Sequence, residues 1–114
     1  MRKSMIQITL SDTRILTVTF AHPTDFYLDE HDKSGEIRYT YCEIFELDEA
    51  GEPILKAEGV AKCAAGDNFQ KRVGRKIALT RALKKMDLNK TERSMVWLRY
   101  LLRNVKPESM KVVH

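Results

Sequence analysis

Gly74, Ala78 and Ala82 recur at intervals of four, and this spacing constrains the fold of the chain more than any other feature. On a helix, residues four apart share one face, so three small side chains there make a narrow strip that a second backbone can approach closely. The surrounding run, residues 63–86 (CAAGDNFQKRVGRKIALTRALKKM), reads as the start and body of a long helix. Asp67-Asn68-Phe69-Gln70 carries a helix-start signal, with Asp67 as the cap and Gln70 reaching back three residues. Phe69, Val73, Ile77, Leu79, Leu83 and Met86 supply apolar surface at mostly helical spacing, while Lys71, Arg75, Arg81 and Lys85 project toward another side. Arg75 and Arg81 border the strip.

The chain before this helix reads as β-structure. Residues 5–10 and 14–20 form two short strands around the turn Ser11-Asp12-Thr13, because β-branched residues alternate through ILTVTF. Residues 21–35 are polar and acidic and read as an exposed loop, with Phe26, Tyr27 and Leu28 as a local anchor and His22 and His31 as solvated loop residues. Residues 37–47 (IRYTYCEIFEL) and 54–63 (ILKAEGVAKC) form the clearest hairpin, across the turn cluster at 48–53. On the first of these strands Ile37, Tyr39, Tyr41 and Phe45 share one face. On the second, Leu55, Ala57, Gly59, Ala61 and Cys63 share an unusually small one. The helix is expected to lie across this sheet, with Val73 and Ile77 filling the space the small residues leave and its second side facing a helix or a subunit.

After Met86 the sequence breaks at Asp87-Leu88-Asn89, and Asn89 with Glu92 makes a capping box for a second helix over residues 90–103. That helix is apolar on so many sides, interrupted by Arg93, Arg99 and Arg103, that a homo-oligomer is expected to bury it. Pro107 ends it. The fold class is thus α+β, an antiparallel sheet of about four strands followed by two C-terminal helices. The 114 residues make one domain, with a β-sheet part at 1–66, a helical part at 67–106 and a tail at 107–114.

Composition narrows the function classes. No run approaches the ~18 apolar residues of a membrane span, and the amino-terminal stretch is too polar for a secretory signal, so a cytoplasmic protein with no membrane contact is expected. Cys42 and Cys63 fall in strands and read as buried, reduced thiols. The net charge of +4 hides an asymmetry. Residues 1–66 hold 7 basic and 12 acidic side chains, a net of −5, and residues 67–114 hold 13 and 4, a net of +9. Such a cationic half suits a phosphate-bearing partner or the acidic half of a neighbouring subunit.

Catalytic, metal and cofactor signatures are missing from the sequence. Gly74 stands alone rather than in a phosphate loop, neither cysteine has a histidine at a recognisable spacing, and Glu43 and Glu46 do not share a strand face. A binding protein is expected rather than an enzyme. The candidate ligand-binding residues are Asn68, Phe69, Lys71, Arg72, Arg75 and Arg81 around the first helix, with Arg99 and Arg103 on the second. Helix-end N–H groups attract phosphate, arginine adds bidentate contacts, and Phe69 offers a surface for a base. The same residues also fit a structural role, with Phe69 in the core, Asp67 capping and the arginines solvated or paired with sheet acids.

The run Cys63, Asp67-Asn68-Phe69, Gly74-Arg75-Lys76-Ile77-Ala78-Leu79 and Arg81-Ala82-Leu83 resembles a signature of small phage and prophage proteins. With four strands before it and two helices after, the chain resembles the phage anti-Thoeris sponge family, which sequesters cyclic ADP-ribose-type signals. The resemblance implies a non-enzymatic homo-oligomer in the host cytoplasm that binds an immune nucleotide between subunits without cleaving it; some members hold cyclic oligonucleotides as well. The alternative is a phage regulator that binds nucleic acid, or a host protein such as RNA polymerase, through the basic C-terminal half. A third reading is a protein inhibitor that presents its acidic loop at 25–36.

Overall fold

A computed structural model describes residues 4–11, 14–28, 34–63 and 70–103. They form five strands and two helices: β1 Ser4–Ser11, β2 Arg14–Ala21, β3 Thr24–Leu28, β4 Ser34–Leu47, β5 Pro53–Cys63, α1 Lys71–Lys84 and α2 Lys90–Leu101. All strand pairs are antiparallel. The α+β class holds, with one strand more than the alternation predicted.

The extra strand lies in the polar stretch read as a loop. β2 pairs β4 from Leu16↔Glu46 to Ala21↔Tyr41, and β3 resumes the same register with Thr24↔Arg38. β2 and β3 are therefore one line interrupted at His22-Pro23, where the carbonyl of Pro23 accepts from Tyr39 N at 3.0 Å. Proline has no N–H to continue the ladder. The sheet is four ribbons wide, in the order β1, β2 with β3, β4, β5. The side chains of residues 26–28 and all of His31 lie outside the described residues.

One face of this sheet carries the core. Ile6 and Ile8 of β1, Leu16, Val18 and Phe20 of β2, and Cys42 and Ile44 of β4 are buried with Ala57, Gly59 and Ala61 of β5. The register sets this out in rows, Val18 beside Ile44 and Ile44 beside Ala57, then Phe20 beside Cys42 and Cys42 beside Gly59. On β4, Ile37, Tyr39, Tyr41 and Phe45 alternate with the buried Thr40, Cys42 and Ile44, so they point away from the helices. Both sets look half-apolar in sequence. The small side of β5 decides between them, because it receives the helix and pairing carries that choice to β4.

α1 packs against β5 and β4 through Gly74, Ala78, Leu79, Ala82 and Leu83. A Cβ added to Gly59 would overlap the carbonyl oxygen of Ala78 and fall 2.5 Å from the Ala82 nitrogen. A Cβ on Gly74 would overlap the Thr40 hydroxyl. Small residues thus meet small residues, backbone against backbone, and the strip faces the sheet rather than a second helix or a subunit. Val73 and Ile77, expected to fill this gap, remain 46% and 39% exposed on the outer side. They lack room, because the helix sits too close to β5 for a branched side chain. Leu79 and Leu83 take the apolar role, each worth about 1.5–3 kcal/mol of burial.

α1 begins at Lys71, later than the Asp67 start expected, with Gln70 at the N-cap and no side-chain cap bond. Asp67 lies outside the described residues. The capping box of α2 is present: Glu92 N donates to Asn89 Oδ1 at 2.8 Å and Asn89 N donates to Glu92 Oε1 at 3.0 Å. Only Val96 and Tyr100 of this helix are fully buried, and Leu98 and Leu101 stay 59% and 57% exposed. Cys42 is buried, and its apolar surroundings, helped by Glu43, push its thiol up to about 12. It is not joined to Cys63.

Arg14 ties sheet to helix. Its Nη2 and Nε donate to the two oxygens of Glu46 at 2.8 and 3.3 Å, and its Nη1 reaches Glu92 at 3.4 Å. The hydrogen bond from Arg14 holds the Glu46 carboxyl below its ordinary value of 4.5, against the opposing effect of burial. A depressed folded-state value contributes stability above about 4.5 that is lost as pH falls through it. Glu46→Gln is therefore expected to destabilise the chain by about 1 kcal/mol at neutral pH, with the gap to the parent narrowing as the pH falls through the acid range, a comparison of urea midpoints at neutral and at acid pH. An equal gap at both would contradict the ion pair.

Candidate functional site

The helices are antiparallel neighbours joined by a short turn, so α2 ends where α1 begins. At that corner β2 also gives way to β3. Tyr100 stands at its centre, 1% exposed, with its ring 5.5 Å from Phe20 and edge-on to Trp97 at 5.9 Å. Buried aromatic hydroxyls need a partner, and this one accepts from Arg75 Nε at 3.3 Å. The guanidinium of Arg103 lies 4.0 Å above the centroid of the same ring, while its Nη1 donates to the Tyr100 carbonyl at 2.8 Å. Two half-buried guanidinium groups are thus held by one buried side chain, which reduces the side-chain freedom they lose on binding.

His22 closes the other side. Its Nδ1 lies 3.0 Å from the hydroxyl of buried Thr40, the residue on which Gly74 rests. Burial lowers the proton affinity of His22, and the charges of Arg75 and then Lys71 lower it further, which places both cations in electrostatic reach of the ring. The first turn of α1 contains no acidic residue. Its N–H groups and positive dipole end therefore add to the field of Lys71, Arg72 and Arg75. Among the described residues no carboxylate forms an ion pair with Arg75 or Arg103.

The residues expected to bind a ligand divide into four groups. Lys71, Arg75 and Arg103 converge on this corner, and Arg72 is exposed beside it on the first turn. Arg81 is elsewhere: its Nη1 donates to the Val60 carbonyl at 2.6 Å, covering a backbone acceptor of the edge strand β5. Arg99 is exposed on the β1 side of α2, in a shallow groove with Gln7, Thr9 and Leu98. Asn68 and Phe69 lie outside the described residues. His22 and Tyr100 went unrecognised in the sequence, His22 as a loop residue and Tyr100 as one more apolar position on α2. The Tyr100-to-Arg103 spacing of three was the available signal for the second, since it puts a cation over a ring on one helix face.

The arrangement suits an anion: guanidinium groups for bidentate contacts, helix N–H donors and a histidine. Among the described residues no group of three metal-ligating side chains occurs, and no helix is long and apolar enough to cross a membrane. Comparison with known proteins returns no matching family model, no matching curated protein and no matching solved structure.

Proposed function

We propose that this protein binds a phosphate-bearing nucleotide at the corner of Lys71, Arg75, Arg103 and His22 and holds it without chemical conversion. The observation that carries the reading is the pair of guanidinium groups fixed by Tyr100, without a carboxylate partner among the described residues, beside a first helical turn that holds no acidic residue. Phosphate oxygens supply the missing negative charge. The resemblance of residues 63–83 to the anti-Thoeris sponges narrows the ligand to a cyclic nucleotide immune signal, a cyclic ADP-ribose isomer, or a cyclic oligonucleotide. In that reading a phage product sequesters the signal in the host cytoplasm as a homo-oligomer. The exposed Leu98 and Leu101 of α2 agree with a subunit contact.

The test is incubation of the protein with cyclic ADP-ribose isomers and cyclic dinucleotides, removal of free ligand and release by heat. The proposal expects intact ligand in the released fraction. A cleaved product would make the protein an enzyme, and no retention of any cyclic nucleotide would end the reading.

A further inference from the structure

We infer that the groove between α1 and α2 is a track for single-stranded nucleic acid with Trp97 as the platform for one base, a site separate from the corner above. Residues 70–103 hold 11 basic and 2 acidic side chains, and one of the two acids, Glu92, is engaged by Arg14 and its own cap. Arg72, Lys76, Thr80 and Lys84 follow one another at intervals of four along the exposed side of α1. Each step advances about 6 Å along the axis, comparable with the separation of successive phosphates in an extended strand. None of these three cations has an ion pair with a described carboxylate.

At the far end the row borders a cleft of about 420 Å³ lined by Thr80, Leu83, Lys84, Met86, Arg93 and Trp97. Its shape and chemistry suit a nucleobase. Leu83 and Met86 give an apolar lining, and half-buried Trp97 is held edge-on by Tyr100, with an interplanar angle of 86°. Arg93, which lines the cleft with Lys84, donates from Nη1 to the Leu88 carbonyl at 2.8 Å, which restrains its guanidinium and leaves other N–H groups for phosphate. A cationic track leading to a stacking aromatic is how proteins hold single strands. A duplex keeps its bases paired and stacked, so it cannot place one in this cleft.

Trp97 is the only tryptophan of the chain, so its fluorescence reports on the cleft directly. The full chain is titrated with oligo(dT) of about twelve nucleotides, with the corresponding duplex and with inorganic polyphosphate, and binding is followed in parallel by anisotropy of labelled strands. The expected result is saturable quenching by the single strand alone, an affinity that falls steeply with salt, and about tenfold weaker binding for Lys84→Ala and for Arg93→Ala with unchanged far-UV spectra. Trp97→Phe keeps the packing and weakens single-strand binding several-fold in anisotropy. Lys56→Ala, an exposed cation of β5 outside both sites, leaves single-strand affinity unchanged, which separates the track from the general surface charge. Absence of binding at low salt, binding without quenching, equal quenching by polyphosphate, or duplex binding as tight as the single strand would each overturn the inference.

Discussion

Gly59→Val leaves no folded protein. A side chain at position 59 must enter the seam where β5 meets α1, and the atoms it meets first are backbone: the carbonyl oxygen of Ala78 and the nitrogen of Ala82, with Arg81 Cβ at 3.0 Å. Backbone cannot rotate away as a side chain can. The helix must lift from the sheet, which uncovers Leu79, Leu83 and the alanines together. Even Gly59→Ala is expected to cost about 3 kcal/mol or more, at the upper end of overpacking penalties. Gly74→Ala should be milder, since the obstruction is side chain rather than backbone: the hydroxyl of Thr40, which can turn at the expense of its contact with His22, and the Thr40 Cβ at 3.1 Å. Gly51→Ala meets no atom within 4 Å but sits at φ 82°, so it costs about 1–2 kcal/mol through conformation alone. Urea unfolding should rank the three variants in that order. A Gly59→Ala protein as stable as its parent would mean that α1 does not rest on β5.

The second large effect falls on ligand rather than fold. Arg75→Ala removes a half-buried guanidinium that donates a 3.3 Å bond to Tyr100 at the edge of the core, and the chain is expected to stay folded. Loss of a charged hydrogen bond of about 1.5–3 kcal/mol lowers nucleotide affinity by about 10- to 150-fold. Arg75→Lys restores charge without the planar fork and recovers part of it. Tyr100→Phe keeps the ring beneath Arg103 and deletes the hydroxyl that aligns Arg75, giving an intermediate loss. Arg81→Ala should behave in the opposite way. It exposes the Val60 carbonyl and weakens the β5 edge but leaves affinity intact. Titration calorimetry with each variant, beside its far-UV spectrum, separates these roles.

The molecule explains which features could be read in advance. The β4–β5 hairpin, the helix pair and the capping box at Asn89 are local, so turn residues and spacing reveal them. The strip of Gly74, Ala78 and Ala82 was equally visible, but not its destination. Periodicity offers two stripes on α1, and the choice between them rests on the distance to β5, a tertiary quantity set by Gly59. β3 escaped for a related reason: Thr24 and Asp25 carry little strand signal, and they pair only because β2 has already aligned with β4. The candidate site was half legible. Lys71, Arg75 and Arg103 stand out as charges, but their meeting depends on helices running antiparallel, and His22 joins them only because β2 ends at that corner.

The central claim is that nucleotide binds where Arg75, Arg103 and His22 meet, and the most direct measurement is heteronuclear NMR of the labelled chain titrated with a cyclic ADP-ribose isomer. The arginine Nε–H signals of Arg75 and Arg103 and the ring signals of His22 should shift together, with one saturation curve. Anion binding at the corner should also raise the proton affinity of His22, reversing the direction that Arg75 and Lys71 impose in the free protein. Shifts confined to Arg81 or Arg99, or none at the corner while ligand binds, would contradict the account.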